Sequence, residues 1–175
     1  KRIFKTTNSV ILFPASGTGA WEASLVNVLN PGETILIYET GHFAAQWRRL
    51  AISLGFEVQV IESDWRSPVD PAQLFEHLKN DINQDIKAVC IVHNETSTGV
   101  TSDIPAIRKA IDETKHQALL LVDTVSSLAS IDYKHEEWGV DVSIGASQKG
   151  LMLPPGLSFN AVSNRALKCH AKSQF

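Results

Sequence analysis

The sequence predicts a single α/β domain built on a mostly parallel β-sheet. Short runs rich in β-branched and aliphatic residues, such as residues 86–93 and 118–125, alternate with segments of helical period, such as residues 103–116. The apolar runs are nearly continuous, which is typical of strands covered by helices on both faces. We therefore expect a three-layer α/β/α fold with a mixed, mainly parallel sheet.

The individual elements follow from local patterns. Asp70 and Pro71 have the composition of a helix N-cap followed by a proline in the first turn, and Gly55 suits a helix C-terminus. Residues 167–175 resemble the beginning of one more helix. The expected strands cover residues 9–14, 33–39, 57–63, 86–93, 118–125, 141–147 and 157–163, and the other expected helices cover residues 19–30, 43–55, 70–81 and 103–116.

Composition excludes several classes of protein. The chain has 175 residues, 43% hydrophobic and 20% charged, which is ordinary for a folded domain with a substantial core. The net charge of −3 and the lack of a basic run argue against nucleic-acid binding. Cys90 and Cys169 are too far apart for a CxxC motif, so we expect neither a metal site nor a disulfide framework.

The sequence also indicates where the protein is located in the cell and whether the chain is part of a longer one. The most apolar run contains Asp123 and is too short to span a membrane, and no signal peptide is apparent. We therefore expect a cytoplasmic protein, or one of an organelle matrix, rather than a secreted one. Because the chain begins at Lys1 and its only methionine is Met152, we expect it to be a fragment of a longer protein.

Ligands of such sheets bind beyond the carboxyl ends of the strands, which makes the polar residues there informative. Residues 15–22, ASGTGAWE, follow the first strand. They form either an ordinary strand–helix turn or an anion site made by backbone N–H groups and Thr18. The spacing matches neither the P-loop nor the dinucleotide glycine pattern. Residues 94–100, NETSTGV, either line the same crevice or form a capped loop.

Two charged residues also lie at predicted strand ends. Asp123 ends a very apolar strand, where it serves either as a turn cap or as the partner of a cation. Lys149 lies between small and apolar neighbours; it is either a solvated loop lysine or a partly desolvated amine with a lowered pKa, suited to act as nucleophile or base. Lysine, aspartate, an anion cradle and an aromatic ring are together the groups that pyridoxal phosphate requires.

Five motifs, in this order, resemble the large domain of the class V, fold-type I pyridoxal-phosphate-dependent aminotransferases. The likeness is greatest to the serine–glyoxylate and alanine–glyoxylate aminotransferases. It covers almost the whole chain, and the last motif is the most specific. The motifs are SGTGAWEA (16–23), ETGHFA (39–44), HNETSTGV (93–100), LLLVDTVSSL (119–128) and GASQKGLMLPPGLSF (145–159).

The resemblance implies a role for each matching residue. Lys149 would form the Schiff base with the cofactor and move a proton at the substrate Cα, and Asp123 would pair with the pyridinium nitrogen. Val125 would pack on one face of the ring and Phe43 on the other, with Trp21 and Trp47 as alternative stacking residues. The phosphate would be bound by Thr18, Gly19 and Gln148, and Thr96 would hydrogen-bond near the ring hydroxyl.

Histidine has no assigned catalytic role in this scheme. We expect His42 and His93, which flank the site in sequence, to be packed or capping residues. The remaining candidates lie on polar segments and are expected to be solvated: His77, His116 and His135.

The resemblance implies transfer of an amino group from serine or alanine to glyoxylate, giving glycine. Alternatives are aspartate–glyoxylate, 2-aminoethylphosphonate–pyruvate or ureidoglycine–glyoxylate transamination, and a non-catalytic truncated paralogue. A cysteine desulfurase-like lyase ranks lower because Gln148, rather than histidine, precedes Lys149.

The resemblance also implies how the chain is organised. Residues 1–165 would form the pyridoxal-phosphate-binding large domain without its N-terminal segment, and residues 166–175 would begin the connection to a C-terminal small domain. In relatives that small domain supplies the arginine for the substrate carboxylate. A homodimer with the active site at the subunit interface is expected, with small amino acids and keto acids as substrates and neither nucleic acid nor membrane as partner.

Overall fold

The computed structural model describes all 175 residues, and its centre is a seven-stranded mixed sheet. The strand order is β1-β9-β8-β7-β4-β2-β3, and β9 alone runs antiparallel to its neighbours. The strands are β1 (Ser9–Phe13), β2 (Thr34–Glu39), β3 (Glu57–Glu62), β4 (Ile86–Val92), β7 (Leu119–Asp123), β8 (Val142–Ala146) and β9 (Ser158–Val162). A separate two-stranded hairpin pairs β5 (Asn94–Glu95) with β6 (Val100–Thr101).

Five helices cover the two faces of the sheet: α1 (Gly17–Val26), α2 (His42–Ser53), α3 (Pro71–Asn80), α4 (Ile104–Glu113) and α5 (Asn164–His170). Leu74 of α3 and Ile107 of α4 belong to one hydrophobic core, and Leu25 of α1, Trp47 of α2 and Ala166 of α5 belong to the other. Successive residues of the central strands point to opposite faces and therefore contribute to both cores. The predicted three-layer architecture with a mainly parallel sheet is confirmed.

Local sequence signals place most element ends correctly. Asp70 caps α3, accepting the backbone N–H of Ala72 at 2.9 Å, and Pro71 is the first helical residue. Gly55 has a φ of +85° and follows α2 in the left-handed conformation that favours glycine. The main differences are at two helices. Helix α1 begins at Gly17 and ends at Val26 rather than covering residues 19–30, and α5 covers Asn164–His170 rather than beginning near residue 167 and continuing to residue 175.

The hairpin of β5 and β6 was not predicted, because each strand has only two residues and the segment has no alternating pattern. The longest helix, α2, has 12 residues. None of the five helices combines the length and the apolar character needed to cross a membrane.

The parallel arrangement determines where a site can form. Strands β1, β2, β4, β7 and β8 all end at the same edge of the sheet. The segments that follow these strands contain all the motifs singled out in the sequence. They meet above the carboxyl ends, as expected for ligand sites in open α/β sheets.

Candidate active site

A cavity of about 230 Å³ lies at the carboxyl edge of the sheet. Its walls come from the segments that follow β1, β2, β4, β7 and β8, so distant motifs meet in one place. Seven of the eight predicted site residues line it: Thr18, Phe43, Thr96, Asp123, Val125, Gln148 and Lys149. Gly19 is the exception.

Asp123 is the last residue of β7 and is 4% exposed. Its Oδ1 accepts the backbone N–H of Val125 at 2.7 Å, and its Oδ2 accepts the indole N–H of Trp21 at 2.9 Å. The pKa of Asp123 is raised to about 6, chiefly because burial disfavours the charged form; the Glu95 carboxylate adds to the rise and the two hydrogen bonds oppose it. No protein cation contributes, so this buried carboxylate is suited to a cationic ligand.

The first turn of α1 forms another wall of the cavity. The Ser16 side chain precedes the helix without capping it, and the first N–H groups of a helix have no acceptor within the helix. Ser16, Gly17 and Thr18 line the cavity. A Cβ built on Gly19 would lie 2.6 Å from the Cβ of Ala15, away from the lining. The free N–H groups and the helix dipole suit this wall to an anion.

Lys149 reaches the cavity from the turn that follows β8. The lysine salt bridges of the structure are formed by residues 5, 79, 109 and 134, which leaves the Lys149 ammonium without a carboxylate partner. Lys149 is exposed, so the expected partial desolvation is not found in this chain. The small neighbour Gly150 lets the turn pack closely, since a Cβ there would lie 2.3 Å from the backbone oxygen of Leu128. Leu151 packs against the core, whereas Met152 and Leu153 are exposed.

Gln148 lies beside Lys149 in the cavity wall. Its Oε1 is buried and has no hydrogen-bond partner in the protein. A buried polar atom without a partner is costly unless something else satisfies it. The amide is therefore available to a ligand.

Phe43 is held in place by a carboxylate from another motif. Glu95 is fully buried, and its Oε2 accepts the backbone N–H groups of Phe43 and Ala44, both at 3.1 Å. These groups belong to the first turn of α2, where a negative charge is favourable. Gly41 permits this contact, because a Cβ there would lie 2.5 Å from Glu95 Cγ and 2.7 Å from Ser97 Oγ.

The NETSTGV segment has both of the roles that the sequence left open. Thr96 lines the cavity, while Glu95 Oε1 caps the loop by accepting the Ser97 backbone N–H at 3.2 Å and the Ser97 hydroxyl at 2.7 Å. The segment is also tied to the turn after β7, where Asn94 Nδ2 donates to Ser126 Oγ at 2.9 Å and Ser126 Oγ donates to the Asn94 carbonyl at 2.7 Å. The relative positions of Thr96 and Asp123 are thereby fixed.

Two histidines differ from the expectation. His135 is fully buried, with Nδ1 bonded to Ser143 Oγ at 2.7 Å, and His116 is 5% exposed, with Nε2 3.1 Å from an oxygen of Asp81. The prediction that they are solvated is wrong, because tertiary contacts bury segments that look polar in sequence. His77 is half-buried and bonds Gln59.

The two histidines that flank the site also differ from each other. His93 is packed as expected, with burial lowering its pKa to about 4. His42 is exposed and lies edge-on to the Phe43 ring. Neither lines the cavity.

A larger open cleft of about 980 Å³ lies near the opposite edge of the sheet. Its charged residues already pair with one another: Arg108 bonds Asp112 at 2.6 Å, and Arg165 lies 3.3 Å from Asp141. Asp141 also accepts the Ser163 hydroxyl and the Leu120 backbone N–H. These groups satisfy one another, and the cleft carries no comparable set of free groups.

Sequence reasoning missed several residues that form the site. Trp21 was considered only as a stacking or core residue, and Glu95 was not singled out. Trp47 is fully buried and outside the cavity, which makes it a core residue. A signal existed for the small residues, since Ser16 and Gly17 belong to the glycine-rich turn. No sequence signal pairs Trp21 with Asp123, because they are 102 residues apart.

Comparison with known proteins agrees with this geometry. The family model described as aminotransferase class-V matches residues 1–175. A serine–glyoxylate aminotransferase of Arabidopsis thaliana is 49% identical over 175 residues, which cover 99% of this chain and 44% of the plant protein. A serine–glyoxylate aminotransferase of Methylorubrum extorquens is 51% identical over 169 residues, covering 96% of this chain and 42% of the bacterial protein.

Solved structures show the same likeness. The alanine–glyoxylate aminotransferase from Nostoc sp. superposes with a TM-score of 0.91 at 31% identity, covering 99% of this chain and 45% of that protein. The chain thus spans somewhat less than half the length of the relatives it matches. The family model covers the whole chain and the motifs converge on one cavity, so the chain belongs to the class-V aminotransferase family.

Proposed function

We propose that this chain is the cofactor-binding part of a pyridoxal-phosphate-dependent aminotransferase that moves the amino group of serine or alanine to glyoxylate. One observation carries the proposal: the buried Asp123 carboxylate, the free Lys149 amine and the uncapped start of α1 line the same cavity. These three groups complement the pyridinium, the aldehyde and the phosphate of the cofactor. Membership of the family supports the same cofactor.

The charges and free polar atoms of the cavity fit this cofactor. Asp123 has no cation of the protein as partner, so its buried charge suits a protonated ring nitrogen. The N–H groups at the start of α1 suit a phosphate, with the Thr18 hydroxyl beside them. The unpartnered amide of Gln148 is available to a polar group of the cofactor, and the Thr96 hydroxyl is a further donor.

Pyridoxal phosphate, when bound, supplies an aldehyde that condenses with amines and a ring that withdraws electrons from the bond to be broken. Lys149 would hold the cofactor through its amine and, once released by the substrate, take and return the proton at the substrate Cα. Asp123 would keep the ring nitrogen protonated. Val125 and Phe43 would pack on the two faces of the ring. The backbone N–H of Gly19 would bind the phosphate.

The overall reaction exchanges an amine for a carbonyl oxygen. With serine as donor, the C–N bond at its Cα is broken and that carbon is oxidised to the ketone of hydroxypyruvate. The aldehyde carbon of glyoxylate is reduced and gains the nitrogen, giving glycine. Serine is favoured as donor because the two relatives near 50% identity are serine–glyoxylate aminotransferases.

Organisation beyond this chain is part of the proposal. Residues 1–165 would form the cofactor-binding domain, and residues 166–175 would lead toward a second domain. Ser173 of this segment donates its hydroxyl to the Val26 carbonyl at the end of α1. We further propose a homodimer with the site near the subunit interface. Met152, Leu153 and Leu157, in the loop directly after Lys149, are 90%, 51% and 42% exposed, and a cluster of exposed apolar residues is typical of an interface.

The test uses pyridoxal phosphate and borohydride. The purified protein is mixed with the cofactor, reduced, digested and analysed by mass spectrometry. We expect one modified lysine, Lys149, and its loss in Lys149→Ala but not in Lys79→Ala, whose side chain is exposed on α3. An unmodified Lys149 at saturating cofactor contradicts the cofactor site. Glycine formation from serine and glyoxylate, compared with alanine and aspartate as donors, then tests turnover.

A further inference from the structure

Trp21 links the candidate site to the hydrophobic core. It is 5% exposed and is one of the residues that line the cavity. Its Nε1–H donates to Asp123 Oδ2 at 2.9 Å. The indole stacks on Trp47 with centroids 5.8 Å apart and planes at 15°, and it contacts Phe43 edge-on at 6.5 Å. One side chain therefore touches both the buried carboxylate and the proposed ring-stacking residue.

We propose that Trp21 is a positioning residue for Asp123, whose indole N–H fixes the direction of the carboxylate and favours its charged form. The inference deepens the proposed function, since it concerns the group that would pair with the cofactor nitrogen. It does not depend on cofactor binding for its test.

The geometry supports the positioning role. The two oxygens of Asp123 each accept one N–H, from Val125 in the turn after β7 and from Trp21 in α1. Two donors from different elements prevent rotation of the carboxylate about its Cβ–Cγ bond. Each oxygen keeps a free lone pair for a further donor in the cavity. The Trp21 ring cannot turn away because Trp47 packs on its face and Phe43 on its edge.

The hydrogen bond from Trp21 affects the protonation state of Asp123 because the pKa of this carboxyl lies close to neutral pH. Burial and the Glu95 charge bring the pKa of Asp123 to about 6, against the opposing hydrogen bonds from Val125 and Trp21. The other titratable groups near it are Lys149, which lines the same cavity, and the buried phenol of Tyr133, whose pKa is raised by burial. Without the indole donor, a pKa raised by about one to two units would leave half or more of the Asp123 carboxyl neutral at pH 7. A neutral acid would not hold a protonated ring nitrogen.

The experiment compares Trp21→Phe with Trp47→Phe. Trp47 is a matched control because it is fully buried in the same aromatic stack, and its Nε1 has no hydrogen-bond partner. The carboxyl pKa of Asp123 is measured in the cofactor-free protein by ¹³C NMR with labelled aspartate, and the signal is assigned with Asp123→Asn. We expect the pKa to rise by about one to two units in Trp21→Phe, the size of a hydrogen bond to a charged group, and by much less in Trp47→Phe.

A second readout is cofactor affinity as a function of pH. The dissociation constant of pyridoxal phosphate in Trp21→Phe should exceed that of the parent by about two- to tenfold at pH 7, the factor by which the ionised fraction of Asp123 falls. The ratio of the two dissociation constants should fall toward one at pH 9. At that pH Asp123 is ionised in both proteins, even where its pKa is raised. A constant ratio across this range would indicate lost packing only and overturn the proposal.

A third variant tests the hydrogen bond without changing the shape of the side chain, in case Trp21→Phe does not fold. Replacement of Trp21 by benzothienylalanine exchanges the N–H for sulfur and keeps the shape of the ring. A raised Asp123 pKa in this variant supports the proposal, and an unchanged pKa overturns it. If the parent protein fails to bind pyridoxal phosphate, the proposed function fails while the NMR titration still decides the role of Trp21.

Discussion

The carboxylate of Glu95 accepts the backbone N–H of Phe43 at 3.1 Å and so anchors the first turn of α2 from a different part of the chain. Glu95 follows β4, whereas Phe43 follows β2, the adjacent strand in the sheet. The contact explains how an exposed aromatic ring at the cavity keeps a defined position. It also places a second buried negative charge near Asp123.

Glu95→Gln should weaken this anchor. Glutamine keeps one acceptor oxygen, but its NH₂ group replaces the other. This NH₂ group would face backbone N–H groups that now donate hydrogen bonds to the Glu95 carboxylate. We expect the free energy of unfolding to fall by about 1–3 kcal/mol, measured by urea denaturation. Glu76→Gln is the control, because the Glu76 side chain is 62% exposed on α3, and its effect should stay below about 0.5 kcal/mol.

The same variant should act on Asp123 in the direction opposite to that of Trp21→Phe. Removing the Glu95 charge takes away a repulsion, so the pKa of Asp123 should fall toward its ordinary value. NMR titration of Asp123 measures the shift. A rise in this pKa would show that Glu95 does not act on Asp123 as a charge.

Gly17→Ala should disturb the cavity through Val125. The added Cβ would lie 2.8 Å from Val125 Cγ2, and a β-branched side chain has little freedom to move aside. We expect a loss of about 1–3 kcal/mol in unfolding free energy together with weaker binding of pyridoxal phosphate. The double variant Gly17→Ala/Val125→Ala should recover part of both losses. Equal defects in the single and double variants would mean that the clash is not the cause.

Acid should destabilise the cofactor-free protein between about pH 6.5 and pH 4. Burial lowers the pKa of His93 and of His135 to about 4, so near pH 5 each takes up a proton only on unfolding. Asp123 opposes them: its folded pKa of about 6 lies above the ordinary value of 3.8, so it releases a proton on unfolding. The three groups give a net uptake of about one proton, or roughly 1.4 kcal/mol per pH unit near pH 5.

Asp123→Asn separates these contributions. The variant removes the opposing carboxyl and leaves the two histidines. The dependence of unfolding free energy on pH should then become about twice as steep as in the parent near pH 5. Urea midpoints measured at half-unit intervals from pH 4.5 to 7 test this. An unchanged slope would contradict the raised pKa of Asp123.

The apolar loop after Lys149 should mediate self-association. Met152→Glu combined with Leu153→Glu places two charges on the exposed surface that we propose as the dimer interface. Sedimentation velocity should show the parent as a dimer and the variant dissociating at protein concentrations at least tenfold higher. Ile82→Glu is a matched control, because Ile82 is 88% exposed in the turn between α3 and β4. Equal association in the three proteins would contradict this interface.

The sequence alone determined the layered α/β fold, most strand and helix positions, and the residues that matched known motifs. These features depend on local signals: hydrophobic period, the N-cap at Asp70, the left-handed Gly55, and the order of strand-end motifs that contain Asp123 and Lys149. Such signals act over a few residues or recur as fixed strings, so they can be recognised along the chain.

Only the tertiary structure decided how those residues are held. The hydrogen bonds of Trp21 to Asp123 and of Glu95 to Phe43, the burial of His116 and His135, and the exposure of Lys149 all depend on which segments become neighbours in space. A hydrogen bond between residues 102 positions apart has no spacing to reveal it. Burial and the resulting pKa shifts are properties of the packed environment, which the linear pattern does not contain.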